Sequence, residues 1–240
     1  MTKTQTVGVL ALQGAFAEHC RHLEKAASKL QKDVEVIEVR TPAELERCEG
    51  LVIPGGESTA ISLVAQRSAG MLEALQKFVT VDKKPTWGTC AGLILISSGI
   101  YDHKTEKQTL AGTPEIDAHG NRVADQTVSA LFGGLDVVVS RNYFGRQLGS
   151  FIAPLKLSNF GASSTITDKD AVFDAVFIRA PVVFKTLNDE VKVLAEVEDP
   201  SDASKKLIVA VEQGHMMGTS FHPELSDDTR IHEIWLSKFL

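Results

Sequence analysis

Three short apolar runs, each ending at a glycine-rich turn and followed by helical spacing, restrict the fold of this chain more than anything else in its first hundred residues. "TVGVLAL" closes at Gln13-Gly14, "GLVIPGG" at Gly55-Gly56, and "PTWGT" runs straight into "CAGLILIS". After the first run Phe16, Cys20, Leu23, Ala27 and Leu30 recur every three or four residues, marking one face of a helix. "DVEVIEV" alternates as an edge or half-buried strand does, Ser58 or Thr59 is placed to cap a helix after "PGG", and "MLEALQKFV" supplies another helical stretch. Strands alternating with helices over short connections dictate an α/β fold of three layers, an open and mostly parallel sheet with helices on both faces.

The second half reads differently. From Tyr101 to about Ala130 the residues are polar and without sustained period, as in a surface insertion. "LDVVVSRN", "LGSFIAPLKLS", "AVFDAVFIRAP", "VKVLAEV", "KLIVAVEQG" and "HMMGTSFHPEL" then follow with little helix between them, so the sheet gains antiparallel strands here. "DDTRIHEIWLSKFL" closes as an amphipathic helix with Ile231, Ile234, Trp235 and Phe239 on one face. With 240 residues and no break in composition, residues 1–240 read as one domain with an insertion at about 101–130.

Composition narrows the function classes. A net charge of −6 leaves no basic footprint for nucleic acid. Cys20, Cys48 and Cys90 are too few and too scattered for a disulfide framework, and no Cys-x-x-Cys metal pair occurs. The polar start "MTKTQT" and the short run after it fit neither a signal peptide nor a membrane span, so the expected setting is cytoplasmic.

Within that frame "GTCAG" has the glycine-x-nucleophile-x-glycine spacing of a nucleophile elbow, with Cys90 in the nucleophile's place. A free thiol of pKa about 8.5 is only a few per cent thiolate at neutral pH. Lowering that value by about two units takes roughly 2.7 kcal/mol, whereas a helix N-terminus gives about 0.3–1 kcal/mol. A base has to supply the rest. His19, His22, His103, His119 and His232 read as solvated, on helix faces or in the insertion, and His215 follows a glycine turn. His222 differs: "GTSFHPEL" places it at the end of an apolar strand, fixed by Pro223, with Glu224 two residues on. In an extended segment residues two apart share a side, so Glu224 could orient the imidazole. Spacing leaves a turn histidine beside a surface acid equally open. "PGGEST" offers backbone amides for an oxyanion, or is a plain strand-to-helix turn.

Together these pieces resemble the class I, triad-type glutamine amidotransferases. The series "VGVLALQGAFAEH", "GLVIPGGEST", "GTCAGLI", "SRNYFGRQLGSF", "FIRAP" and "GTSFHPEL" is similar, in that order and over nearly the whole chain, to the glutaminase-subunit family of pyridoxal 5′-phosphate synthase, its fungal members included. The resemblance implies an amidotransferase-like α/β fold. It also implies Cys90 as nucleophile, His222 as general base and acid, and Glu224 as the orienter of the histidine. It assigns Gly55, Gly56, Glu57 and Ser58 to glutamine binding, with the Ala91 amide in the oxyanion hole. Arg141, Ile178 and Arg179 would hold the amino-acid head group, an arginine fork suiting a carboxylate. Gln13 sits at the end of the first strand, on the sheet edge where α/β folds place ligands.

The reaction so implied is hydrolysis of L-glutamine through a γ-glutamyl thioester, with no metal or cofactor. Its ammonia passes to a (β/α)₈-barrel synthase subunit as partner, with neither nucleic acid nor membrane involved. Two features depart from the family pattern: the polar 101–130 segment, and Tyr143 where a smaller residue is expected. The competing readings are a glutaminase serving another synthase, for which "RNYFGRQ" has no counterpart, and a non-catalytic or oxidation-sensing partner subunit.

Overall fold

The computed structural model describes residues 4–102, 106–111, 131–141, 143–144, 150–161, 163–166, 168, 170–200 and 202–240. Most of the expected insertion, including His103 and His119, lies outside the described residues. Strands β1 (Gln5–Leu10), β2 (Val34–Val39), β3 (Gly50–Ile53), β4 (Thr86–Thr89) and β13 (Met216–Thr219) form a parallel block in the order β2-β1-β3-β4-β13. Beyond β13 the same sheet continues through β12 (Asp202–Gln213), β10 (Val182–Thr186), β7 (Leu135–Ser140), β5 (Ser97–Asp102) and β6 (Lys107–Leu110), while β11 (Lys192–Asp199) pairs with β12. Those pairings are antiparallel except for β5 with β7. A separate hairpin joins β8 (Ser150–Lys156) to β9 (Val172–Ile178).

Period-2 alternation on these strands builds a core on each side of the sheet. Val7, Val9, Val52, Trp87 and Met217 face one way, against α1 (Phe16–Leu30) and α6 (Arg230–Phe239), which contribute Leu23, Ala26, Ile231, Ile234 and Trp235. Leu10, Leu51, Ile53 and Val139 face the other way, against α2 (Pro42–Glu46), α3 (Ser58–Arg67), α4 (Met71–Gln76) and the wholly buried α5 (Ala91–Ile96). This is the expected three-layer α/β architecture, a large sheet between helices with a parallel block and antiparallel strands in the C-terminal half. Among the described residues no helix is long and apolar enough to cross a membrane.

Strands β5, β6 and β10 and helix α2 escaped the sequence reading. Strand β5 follows α5 without a gap and carries "SSGIYD", too polar and too short to alternate visibly. Lys107–Leu110, within the expected insertion, is β6 and pairs antiparallel with β5. Helix α2 had a legible signal. Thr41, Pro42 and Glu44 form a capping box with proline at the helix start.

The helix-face prediction for α1 is rotated in the structure. Phe16, Cys20 and Leu30 are only partly buried, while His19 and His22 join Leu23, Ala26 and Ala27 inside.

Candidate active site

Four parallel neighbours, β1, β3, β4 and β13, release their carboxyl ends along one edge of the sheet, and each connection contributes to the same site. Cys90 follows β4 with φ 48° and ψ −102°, a conformation rare for a side-chain-bearing residue. Its N–H donates to the Thr219 carbonyl of β13 at 2.8 Å, which holds the turn from the neighbouring strand. The flanking glycines are required by contact. A Cβ on Gly92 would stand 2.1 Å from the Ile53 carbonyl oxygen, and one on Gly88 2.5 Å from the backbone of Gly92. The strand, the turn and the helix therefore pack backbone on backbone, and the sulfur is left at the start of α5, 7% of the residue exposed.

His222 arrives from β13 and lies beside Cys90 at the cavity, with Nδ1 2.8 Å from Glu224 Oε1. The reason given from sequence for that second contact needs correction. The chain is not extended past His222; Pro223–Leu225 is a 3₁₀ turn, and it is this turn that swings the carboxylate back under the imidazole. Glu224 is 3% exposed. Burial alone would lower the His222 pKa, but the bonds to Cys90 and Glu224 and their charges outweigh it and push it up to about 10. Burial would raise that of Glu224, yet His19 and His222 hold its carboxyl well below the usual carboxylate range.

These shifts predict how stability changes with pH. His222 rises from 6.5 to about 10 on folding, so its contribution is complete below pH 6.5 and is lost as pH climbs through about 10. Glu224 acts in the opposite sense, its contribution present above 4.5 and lost in acid. The urea midpoint should therefore fall between pH 6.5 and 10. In Cys90→Ala that fall should come at lower pH, because one of the groups holding the proton is gone. A midpoint that climbed over this range would contradict the assignment.

The expected binding residues surround the pair. A cavity of about 1260 Å³ opens over Cys90 and His222, and Gln13, Gly56, Glu57 and Ser58 line one side of it. Ala91, Arg141, Ile178 and Arg179 line it too, Arg179 with a left-handed φ of 43° just after β9. Gly55 stands against the imidazole, where a Cβ would come within 2.4 Å of His222 Cε1. The loop it belongs to is fastened to the end of β1: Ala15 N–H donates to the Gly55 carbonyl at 3.0 Å, and Glu57 N–H to Gln13 Oε1 at 2.8 Å. The cap of α3 is Glu57 rather than Ser58 or Thr59; its carboxylate accepts from Thr59 N–H at 3.0 Å and Ala60 N–H at 2.7 Å. A carboxylate at a helix start also answers the helix dipole, an advantage a hydroxyl lacks.

Three histidines expected on solvated helix faces are inside the protein: His19 and His232 are 0% exposed and His22 is 6%. Single-helix periodicity could not show that the α1 and α6 faces bearing them turn toward each other. Tyr143, at the far side of the cavity, donates its hydroxyl to Asp199 Oδ2 at 2.8 Å.

A sheet of this order with a cysteine on the β4 elbow defines a glutamine amidotransferase fold. A solved structure described as a glutamine amidotransferase superposes with a TM-score of 0.67 at 34% identity, covering 96% of this chain and 97% of the other. The PurLQS structure from Thermotoga maritima shares the fold at a TM-score of 0.60 and 15% identity, over 98% and 97% of the two chains. The chain belongs to the SNO glutamine amidotransferase family, whose model matches residues 9–130 and 119–240. Its relatives include pyridoxal 5′-phosphate synthase subunit PdxT of Pyrococcus furiosus, 40% identical over 98% of each chain. Another is pyridoxal 5′-phosphate synthase subunit SNO1 of Saccharomyces cerevisiae, 39% identical over 98% of this chain and 93% of the relative.

Proposed function

We propose that this chain is the glutaminase component of a pyridoxal 5′-phosphate synthase, hydrolysing L-glutamine to L-glutamate and ammonia and so supplying the nitrogen of vitamin B6 synthesis. The observation that carries this reading is the meeting of Cys90, His222 and Glu224 at one sheet edge, in a chain whose relatives bear that name.

Cys90 Sγ attacks the side-chain amide carbon of glutamine, and the oxyanion forms against backbone amides, Ala91 N–H at the start of α5 and the Gly55-Gly56 loop. Such donors are worth about 3–4 kcal/mol in acyl transfer. His222, protonated through the neutral range with its pKa at about 10, gives its proton to the leaving nitrogen as the C–N bond breaks. A water enters, His222 takes its proton, the hydroxide displaces Sγ from the thioester, and glutamate leaves. Glu224 holds the imidazole with Nε2 toward the reaction. Arg141 and Arg179 suit the glutamine head-group carboxylate, with Ile178, Gln13, Glu57 and Ser58 shaping the remaining wall.

Free ammonia becomes ammonium in bulk water and loses its nucleophilicity, so a synthase subunit, which we read as a (β/α)₈ barrel, receives it directly. In this reading the protein works in the cytoplasm. Residues 1–240 act as one glutaminase domain, with Lys107–Leu110 of the expected insertion paired to the sheet as β6.

Glutamate release measured with and without the purified synthase subunit tests the reading. Release is expected to rise on adding the subunit, and pyridoxal phosphate formation in the mixture should depend on glutamine when no ammonium is supplied. Synthesis that proceeds equally without glutamine would remove the ammonia-supply role.

A further inference from the structure

Glu224 has two carboxylate oxygens, and the triad uses one. Oε1 faces His222, whereas Oε2 is buried without a well-aligned hydrogen bond and stands 3.2 Å from Nε2 of His19. The same Nε2 lies 3.2 Å from Thr89 Oγ1, on the residue that precedes the nucleophile. On its other side His19 Nδ1 meets His232 Nε2 at 3.0 Å. Four elements converge here behind the elbow, α1, α6, β4 and the 3₁₀ turn, with Trp87 and Trp235 packed alongside. His19 also closes the "VGVLALQGAFAEH" series, and nothing in the reaction described above employs it.

The hydrogen bonds decide where the protons are. His232 is fully buried, and burial drives its pKa far down, so it is neutral and has one N–H. Among the described residues its Nδ1 has no partner, so the proton belongs on Nε2, where His19 can accept it. His19 Nδ1 is then an acceptor, and the His19 proton sits on Nε2, directed at Thr89 Oγ1 with Glu224 Oε2 beside it at 3.2 Å. Two buried imidazoles are a costly way to fill a space beside two indoles that leucine would fill. Among the described residues no group of histidine, cysteine and acidic side chains is suited to hold a metal ion.

We propose that His19 is a positioning residue for the hydrolysis of glutamine: its Nε2–H edge, anchored on Thr89, braces the second oxygen of Glu224 through a 3.2 Å polar contact, so that the first stays aimed at His222, and His232 sets the His19 tautomer from behind. The working unit is then a relay of five groups, His232, His19, Glu224, His222 and Cys90. This rests on the triad reading given above, and the test separates the two.

Glutamate release is measured with the intact protein in complex with its synthase subunit, for His19→Asn, His19→Gln, Glu224→Gln, the double variant His19→Asn/Glu224→Gln, and Cys90→Ala. His19→Asn, whose amide reaches only the Nδ1 position, is expected to lose about 10- to 100-fold in kcat with KM nearly unchanged, as orienting partners do elsewhere. His19→Gln places an amide N–H where Nε2 was and should recover to within about 5-fold of wild type. In the Glu224→Gln background His19→Asn should cost less than about 2-fold, since its target is already gone.

His232→Leu suits the apolar surroundings and provides a second route should His19→Asn not fold. Its expected loss is about 3- to 10-fold, and that loss too should vanish when Glu224 is glutamine. Losses of full size in both backgrounds, or equal losses for the Asn and Gln variants, overturn the proposal and leave the triad standing. Activity retained by Cys90→Ala would instead sink the triad itself.

Discussion

Replacing Cys90 by alanine is expected to lower glutamate release from the complex with the synthase subunit by about 10⁵- to 10⁶-fold, the scale on which a covalent nucleophile is lost. The size follows from the position. The backbone at Cys90 is held with φ 48° by Thr219 and by the glycine contacts, so no neighbouring side chain can take its place at the start of α5. Glutamine binding should survive, because the arginines and the Gln13-fastened loop do not depend on the sulfur. Isothermal titration of Cys90→Ala with glutamine, beside the activity assay, separates loss of chemistry from loss of binding. Residual release above about 1% of wild type would assign the nucleophile elsewhere.

His222→Asn should cost nearly as much, about 10⁴- to 10⁶-fold in kcat. In the proposed reaction the imidazole does two jobs in sequence: it protonates the nitrogen that leaves, and it takes the proton of the water that enters. Asparagine keeps a hydrogen bond toward Glu224 and can do neither. The acid role can be isolated by changing the leaving group. On γ-glutamyl p-nitroanilide, whose amine departs with less need of a proton, the variant should lose less than it does on glutamine. Equal losses on both substrates would show that His222 serves only to activate the sulfur and the water. The high pKa of His222 gives a second check. Wild-type acid catalysis should persist well above pH 7, since the group stays protonated until about 10.

Much of this site was legible because its parts are local in sequence. An elbow reads as Gly88-Thr89-Cys90-Ala91-Gly92 whatever surrounds it, and His222-Pro223-Glu224 is three consecutive residues. The contact between His222 and Glu224 was anticipated for the wrong reason. An extended strand and a 3₁₀ turn both bring residues two apart to one side, and only coordinates distinguish them. The parallel block was legible from apolar runs and glycine breaks, whereas β5 and β6 were not, their hydrophobicity coming from neighbouring strands rather than from their own residues.

The relay behind Glu224 marks the limit. His19 and His232 are 213 residues apart, each on a helix whose own periodicity is satisfied by other side chains. Nothing in either helix says that the other faces it. Periodicity locates a buried stripe to within a residue or two, and here that margin covers the difference between a solvated histidine and a relay.

The aromatic lining of that relay has an optical consequence. The chain has two tryptophans, and both stand in this cluster, Trp87 with its ring 4.9 Å from His232 and Trp235 6.1 Å from Trp87. All indole emission of the protein therefore originates in this cluster, beside the His19–His232 pair. A charged imidazole quenches a neighbouring indole more strongly than a neutral one does. Intrinsic fluorescence, with no label and no substrate, thus reports on the charge in the space between α1 and α6.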